Sequence, residues 1–182
     1  GMKQLPTPIE PIVPVQDLPV SPALQLIGKA KPTLEGRKVA ILVADDSNAE
    51  MLEKYKAAIK AQKATPFVVA PKVNVTLNND ETMAVDGQLA GSPSVLFDAV
   101  VSIIMPEQAK KLAKDSAAIA WFNDAYAHLK AIAYCGATDE FILTPQQIEK
   151  DASVVPLKEI DTFIEKAKSR EWARESKVRD LA

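Results

Sequence analysis

The sequence predicts an α/β domain in which a mainly parallel β-sheet carries helices on both faces. Three apolar runs, Lys38–Ala44, Pro66–Ala70 and Ala99–Ile104, are continuous rather than alternating, which is typical of strands buried on both faces. Helical patterns separate these runs, and alternating strands and helices favour parallel pairing through right-handed crossovers. Prolines concentrate before Gly36, so we expect the domain to begin there.

The first 35 residues predict an extended, proline-rich strap or linker. They hold seven of the thirteen prolines, and proline at this density blocks both helices and sheet ladders. Apolar residues between the prolines favour a strap that lies on another surface over a free linker. Ser21 as N-cap and Pro22 at the first helical position predict one short helix, Ser21–Ile27. Residues 36–182 are expected to form the α/β domain.

The elements after the first strand follow from periodicity and turn residues. Ala49–Gln62 has the apolar stripe of an amphipathic helix, and two turn signals within Asn74–Leu89 predict a small hairpin or ribbon. The remaining predicted elements are a helical region, Glu107–Leu129, broken near Asp115; a fourth strand, Ala131–Cys135; a short helix, Glu140–Gln147; and a last helix containing Ile160, Phe163, Ile164 and Ala167.

Composition restricts the classes of partner. The net charge is −2, with 22 basic and 24 acidic residues and no basic stripe, so we expect no nucleic acid partner. No apolar run approaches the roughly 18 residues that span a membrane, so no membrane partner is expected. A single cysteine cannot form an internal disulfide, which fits a reducing compartment. One Cys and one His also supply too few ligands for a structural zinc site.

A phosphorylation switch is one interpretation of the first strand and its loop. LVADDS places Asp45 and Asp46 where receiver domains hold magnesium, and DAVVSIIMPE resembles the third strand of that family. The phosphoryl-accepting carboxylate would then fall on Ser102 or, with a one-residue shift, on Ile103, and neither side chain can accept it. We therefore interpret Asp45 and Asp46 as acids that stabilise the N-terminus of the following helix.

Longer segments resemble the C-terminal domain of large-subunit haem catalases. They are SPALQLIGKAKPTLEGRKVAILVADD, AVDGQLAGSPSVLFDAVVSI and AYAHLKAIAYCG, of which GSPSVLFDAVV is the most specific. The resemblance implies a flavodoxin-like, three-layer fold related to the class I glutamine amidotransferase-like superfamily, which includes the protease/amidase group. It also implies a tetrameric, cytoplasmic parent enzyme that removes hydrogen peroxide, in which this domain contacts the catalase core and neighbouring subunits.

The same resemblance places haem in the core of the parent enzyme rather than in this chain. The family's haem pocket uses a distal His with an Asn and a proximal Tyr on iron, all in the core that precedes this domain. This chain has only His128, and Tyr55, Tyr126 and Tyr134 fall on predicted helix or strand faces, where packing accounts for them. We therefore expect no bound cofactor, no metal and no catalytic residue in this chain.

Cys135 is the residue with nucleophilic chemistry, because it stands at a predicted strand-to-helix turn. The protease/amidase relatives use a Cys at this turn, usually followed by His, and a Glu contributed after the first strand. When LKAIAYCGA is aligned on Lys130, the Cys position falls on Gly136, the His on Ala137 and the Glu on Asn48. The resemblance thus implies a degenerate pocket at these three positions and Cys135. Cys135 itself lies one residue earlier and should point into the packing.

His128 is not expected to activate Cys135. The helix that ends near His128 returns to the amino edge of the sheet, whereas Cys135 lies at the carboxyl edge. The intervening strand separates the two residues by roughly 15 Å, several times the reach of a hydrogen bond. We expect His128 to cap the C-terminus of its helix.

The sequence thus favours a non-catalytic accessory domain of a haem catalase that acts in assembly, stability or access to the haem. The alternative is a free-standing thiol hydrolase or chaperone-like protein of the protease/amidase group. A small-molecule sensor that uses the residual pocket beside Asn48 and Gly136 is a third class. Trp121 and Phe122 are adjacent on one helix and point about 100° apart, so one of them is a candidate contact with another domain or subunit.

Overall fold

The computed structural model describes residues 9, 10, 12, 13, 16 and 18–179, so the other residues of the predicted strap lie outside the described residues. The chain divides into two compact units, Gly1–Ala30 and Lys31–Ala182. In the first unit, two backbone hydrogen bonds to the carbonyl of Ser21 form a single turn, and Gly28 takes a φ of +82°. The predicted helix Ser21–Ile27 is therefore wrong, because one turn does not offset the cost of helix nucleation.

A six-stranded parallel sheet forms the centre of the second unit. Its strands are β1 (Lys38–Val43), β2 (Thr65–Ala70), β5 (Gly87–Gln88), β6 (Ala99–Ile103), β7 (Ile132–Tyr134) and β8 (Val154–Pro156). They are arranged in the order β5-β2-β1-β6-β7-β8. A separate antiparallel hairpin consists of β3 (Asn74–Thr76) and β4 (Thr82–Ala84). The predicted parallel sheet and small hairpin are both confirmed.

Helices cover both faces of this sheet. One face carries α1 (Ala49–Ala61) and α5 (Ile160–Ala167), and the other carries α2 (Pro106–Leu112), α3 (Ser116–Ala127) and α4 (Gly136–Thr138), which continues as a π-helical turn, Asp139–Leu143. A last short helix is α6 (Glu175–Arg179). Successive residues of β1 enter opposite hydrophobic clusters, with Val39 and Ile41 on the α1 side and Ala40 and Leu42 on the α3 side. The predicted three-layer sandwich is therefore confirmed. None of the described helices combines the length and the hydropathy needed to cross a bilayer.

Asp115 breaks the long helical region where the sequence predicts a break. Its carboxylate accepts a hydrogen bond from the backbone N–H of Ala117 at 2.9 Å and so caps the start of α3. His128 is the C-cap of the same helix, and its backbone N–H donates to the carbonyl oxygen of Asp124. The expectation that His128 ends this helix is confirmed.

Three elements differ from their predictions. β8 was not predicted, because a three-residue edge strand that ends in Pro156 has little pattern to detect. Gly87–Gln88 joins the main sheet beside β2, so the hairpin is shorter than the predicted Asn74–Leu89. The helix predicted at Glu140–Gln147 begins at Gly136 instead, since Cys135 is already the extended N-cap and no turn intervenes.

Trp121 and Phe122 are both buried, with 1% and 0% of their surfaces exposed. The expectation that one of them contacts another domain or subunit is therefore wrong. The turn Ser94–Leu96 packs against α3, and the indole N–H of Trp121 donates to the carbonyl oxygen of Ser92 at 3.1 Å. Both side chains thus lie in the cluster on the α3 side, one ring edge-on to the other.

Candidate functional site

The predicted pocket residues follow β1 and β7 at the carboxyl edge of the sheet. β1 pairs with β2 on one side and with β6 on the other. The strand order therefore changes direction beside β1, with β2 and β5 on one side of it and β6, β7 and β8 on the other. In open parallel sheets, such a switch point opens a crevice between the loops at the carboxyl ends of the strands. The loops that follow β1 and β6 border this crevice.

Ser47 ties the two sides of this crevice together. Its hydroxyl donates to the carbonyl oxygen of Ile103, the last residue of β6, and accepts from the backbone N–H of Ala44 at 2.9 Å. The side chain is fully buried. Sequence reasoning missed Ser47, although a serine directly after two acids in a strand-to-helix loop is a common local hydrogen-bonding residue. Its two hydrogen bonds join the loop after β1 to the end of β6.

Asn48, at the position of the relatives' Glu, caps α1. Its side-chain oxygen accepts from the backbone N–H of Met51 at 2.7 Å. Asp45 accepts instead from the backbone N–H of Thr76 at 3.1 Å and pairs with Lys72 at 2.6 Å. The hydrogen bond from Lys72, followed by that from Thr76, lowers the pKa of Asp45. The prediction that Asp45 stabilises the N-terminus of α1 is therefore wrong, because Asn48 takes that role.

Cys135 is half-buried at the end of β7 and packs against the cluster on the α3 side. Its thiol donates to the carbonyl oxygen of Ile104 at 3.1 Å. The hydroxyl oxygen of Thr138 lies 3.1 Å from the sulfur and 2.7 Å from the hydroxyl of Ser102, and both hydroxyl residues are fully buried. Among the described residues, no acid or imidazole is a hydrogen-bond partner of this sulfur. The hydrogen bond from the thiol connects the end of β7 to the residue that follows β6.

Three of the four predicted pocket positions border two different cavities. Cys135 and Gly136 border a shallow depression of about 410 Å³ together with Met51. Asn48 lines a different cavity, of about 660 Å³, between α1 and the hairpin. Ala137 packs against the core on the α3 side. His128 precedes β7 and Cys135 follows it, so these two residues lie at opposite ends of that strand, as predicted.

Tyr55 and Tyr126 both make contacts within the domain. The hydroxyl of Tyr55 donates to the carbonyl oxygen of Leu157 at 2.9 Å, and burial raises the pKa of Tyr55 far above its usual range. The ring of Tyr126 lies under the guanidinium of Arg174, 4.2 Å from its centre. Within the described part of the chain, no group of three or more His, Cys, Asp or Glu side chains is placed to hold a metal ion.

A buried ion pair at the opposite, amino edge of the sheet was missed by sequence reasoning. Arg174 is 1% exposed and binds Asp151 through two hydrogen bonds of 2.6 and 2.9 Å. The same guanidinium donates to the backbone carbonyls of Tyr126 and Lys130 at 3.0 and 3.1 Å. These contacts fasten the C-terminal segment to the end of α3 and the start of β7.

Residues 35–170 match the family described as the C-terminal domain found in long catalases. The curated relatives include "Catalase C" of Rhizobium meliloti, 37% identical over 139 residues, which cover 75% of this chain and 20% of the relative. "Catalase HPII" of Pseudomonas putida is 29% identical over 180 residues, covering 94% of this chain and 25% of the relative. The chain thus spans about a fifth to a quarter of the length of these relatives.

Solved structures with a similar fold include proteins of the DJ-1 type. A DJ-1 superfamily protein of Salmonella typhimurium has a TM-score of 0.60 at 20% identity, covering 80% of this chain and 96% of that chain. Oxidized DJ-1 of Toxoplasma gondii has a TM-score of 0.58 at 13% identity, covering 80% and 97%. At this identity the likeness concerns the fold alone, and it agrees with the three-layer α/β arrangement.

Proposed function

This chain belongs to the family of C-terminal domains found in long catalases, and on that premise we propose that it is a non-catalytic accessory domain of a longer, cytoplasmic catalase. The parent protein would disproportionate hydrogen peroxide at a haem held in a separate core. This domain would act by contact with that core and with neighbouring subunits of a homotetramer, in assembly, stability or access to the haem. The small share of the relatives that the chain covers supports the proposal, since it leaves room for such a core.

The environment of the Cys135 thiol carries the non-catalytic part of the proposal. A nucleophilic thiol requires an adjacent base or a positive field. Here the sulfur contacts the negative end of the Ile104 carbonyl dipole and the hydroxyl of Thr138. Ala137 and Asn48, at the positions of the relatives' His and Glu, supply neither an imidazole nor a carboxylate.

The test is to express the complete reading frame that contains this sequence beside the 182-residue chain. Haem content and hydrogen peroxide consumption are then measured for both proteins. We expect the complete protein to bind haem and consume peroxide, and the 182-residue chain to do neither. A complete protein without haem and without peroxide consumption would contradict the proposal.

A thiol hydrolase of the protease/amidase group is the second candidate, supported by the depression beside Cys135 and Gly136. This candidate predicts that the chain hydrolyses a chromogenic ester or peptide and that Cys135→Ala abolishes the hydrolysis. Our proposal expects no hydrolysis above the buffer rate by either form.

A further inference from the structure

The turn between β5 and β6 presents apolar side chains at the amino edge of the sheet. Among the described residues of the second unit, the exposed large hydrophobic side chains are Val73, Val95, Leu96 and Met105. Val95 and Leu96 are consecutive, with 46% and 62% of their surfaces exposed, and Pro93 is exposed beside them. We call Pro93, Val95 and Leu96 the apolar ridge.

Two buried donors hold the backbone beneath the apolar ridge. The indole of Trp121 donates to the carbonyl oxygen of Ser92 at 3.1 Å, and the ammonium of Lys130 donates to that of Ser94 at 2.6 Å. Lys130 is 3% exposed, and burial is the main reason that its pKa falls to about 8. Burying a cation costs free energy unless the cation is hydrogen-bonded or paired. The hydrogen bond that Lys130 makes holds the backbone of this surface turn.

Gly87 adds a third constraint on the same turn. A Cβ at this position would collide with the hydroxyl of Ser92 and would lie 2.8 Å from the ring of Phe67. The turn therefore packs directly against the backbone of β5. A surface held this rigidly before binding loses little conformational entropy when a partner docks.

Positive charge borders the apolar ridge. Asp98, two residues after Leu96, accepts from the backbone N–H of Lys38 and pairs with Arg170 at 3.6 Å. Arg170 also donates to the carbonyl oxygen of Asp98 at 2.8 Å, and Lys38 is exposed above the ring of Phe67. Arg170 is the cation paired with Asp98, whereas the ammonium of Lys38 lies over Phe67, so these three side chains together carry a net positive charge beside the apolar ridge.

We propose that the apolar ridge docks this domain onto the upstream core of its own parent protein, in an apolar pocket rimmed by carboxylates. This inference rests on the proposed function. The chain leads into the domain at Leu34–Arg37, directly before β1, and therefore at the same edge of the sheet as the apolar ridge. The matched part makes up only 20% to 25% of the relatives, so the remainder is large enough to present such a pocket. Buried apolar anchors with a polar rim are the usual centre of such interfaces.

Amide hydrogen exchange on the complete protein and on the 182-residue chain tests this surface. We expect peptides that cover Ser92–Asp98 to exchange at least ten-fold more slowly in the complete protein. Leu96→Asp in the complete protein should return these peptides to the rate of the isolated chain. Val73→Asp is the matched control, because Val73 is exposed to the same extent as Leu96 (63% against 62%) but follows β2 at the opposite edge. It should leave the protection unchanged.

Three outcomes would overturn the inference while leaving the proposed function intact. In the first, protection is confined to the loops of the carboxyl edge. In the second, Val73→Asp loses the protection and Leu96→Asp keeps it. In the third, protection of Ser92–Asp98 grows with protein concentration, which would indicate that a second copy of the chain occupies the surface. A complete protein without haem instead contradicts the proposed function itself. Thermal unfolding of each isolated variant chain confirms that the substitution has not unfolded the domain.

Discussion

The thiol of Cys135 donates a hydrogen bond to the carbonyl oxygen of Ile104 across 3.1 Å and so joins the carboxyl ends of β7 and β6. Ser47, from the other side of β6, donates to the carbonyl of the preceding residue, Ile103. Two consecutive carbonyls at the end of β6 are thus occupied by side chains from both neighbouring strand ends. The edge of the sheet that usually hosts ligands in open α/β folds is fastened by structural hydrogen bonds.

Alkylation of Cys135 should therefore be slow in the folded chain. We expect iodoacetamide at pH 7 to modify the folded chain about ten-fold more slowly than the urea-unfolded chain, because folding partly buries the sulfur and engages its proton. The measurement is the rate of thiol modification by mass spectrometry. Faster modification of the folded chain than of the unfolded chain would reveal an activated nucleophile and refute this account.

The ion pair between Arg174 and Asp151 should be a main support of the C-terminal segment. Asp151→Asn leaves a buried guanidinium without its counter-ion, so we expect a loss of about 3–5 kcal/mol in the free energy of unfolding. Urea denaturation measures the loss. Glu107→Gln, which breaks the exposed pair with Lys110, is the control and should change stability by less than about 1 kcal/mol. If the two substitutions lower the free energy of unfolding equally, the buried pair stabilises the domain no more than the exposed pair does.

Acid should weaken the same contact. Burial alone would raise the pKa of Asp151, but the hydrogen bonds from Arg174 and from the backbone N–H of Ser153 outweigh burial and lower it. Because the folded-state pKa lies below the unfolded value of about 3.9, this stabilisation is present above pH 4 and is lost as the pH falls through the folded-state pKa. The difference in stability between the wild type and Asp151→Asn should therefore shrink below pH 4.

Lys130 should make the domain more stable as the pH rises. Burial first, and then the charge of Arg170, lowers its pKa to about 8 in the folded chain, against 10.5 when unfolded. Between these values the unfolded state binds more protons, so the free energy of unfolding should increase on the order of 2–3 kcal/mol from pH 8 to 10.5. Lys130→Met should lack this increase, whereas Lys114→Met, at an exposed site, should retain it. Parallel pH profiles for wild type and Lys130→Met would refute the assignment.

Gly87→Ala should destabilise the turn beneath the apolar ridge. The new methyl group would collide with the hydroxyl of Ser92 and press on the ring of Phe67, so we expect a loss of about 1–3 kcal/mol. Gly91→Ala is the matched control, since a Cβ there meets no atom within 4 Å. Thermal unfolding distinguishes the two variants, and equal melting temperatures would contradict the proposed close packing.

Continuous apolar runs and helical periodicity were enough to predict the sheet and both helix layers. β6, β1 after Lys38 and residues 68–70 of β2 are buried, so these stretches carry little other than β-branched and aliphatic residues. β8 and the start of α4 escaped prediction because neither has a periodic pattern of its own. Tertiary contacts define both of them: β8 exists through pairing with β7, and α4 begins where Cys135 ends that strand.

The polar side chains were harder to assign than the strands. The resemblance led to Asn48, and the predicted strand-to-helix turn led to Cys135, but only the structure gives these residues their hydrogen-bond partners. Arg174 lies in a charged segment, REWARES, whose pattern is typical of a solvated helix face. Its burial depends on Asp151, 23 residues earlier, and local periodicity contains no information about such a contact.

Hydrogen peroxide consumption per haem, in the complete protein with and without Cys135→Ala, tests the central claim most directly. If this domain acts by contact and not by thiol chemistry, both forms will contain haem and consume peroxide at the same rate. A complete protein that contains no haem, or a ten-fold fall in rate on replacing Cys135 alone, would contradict the account.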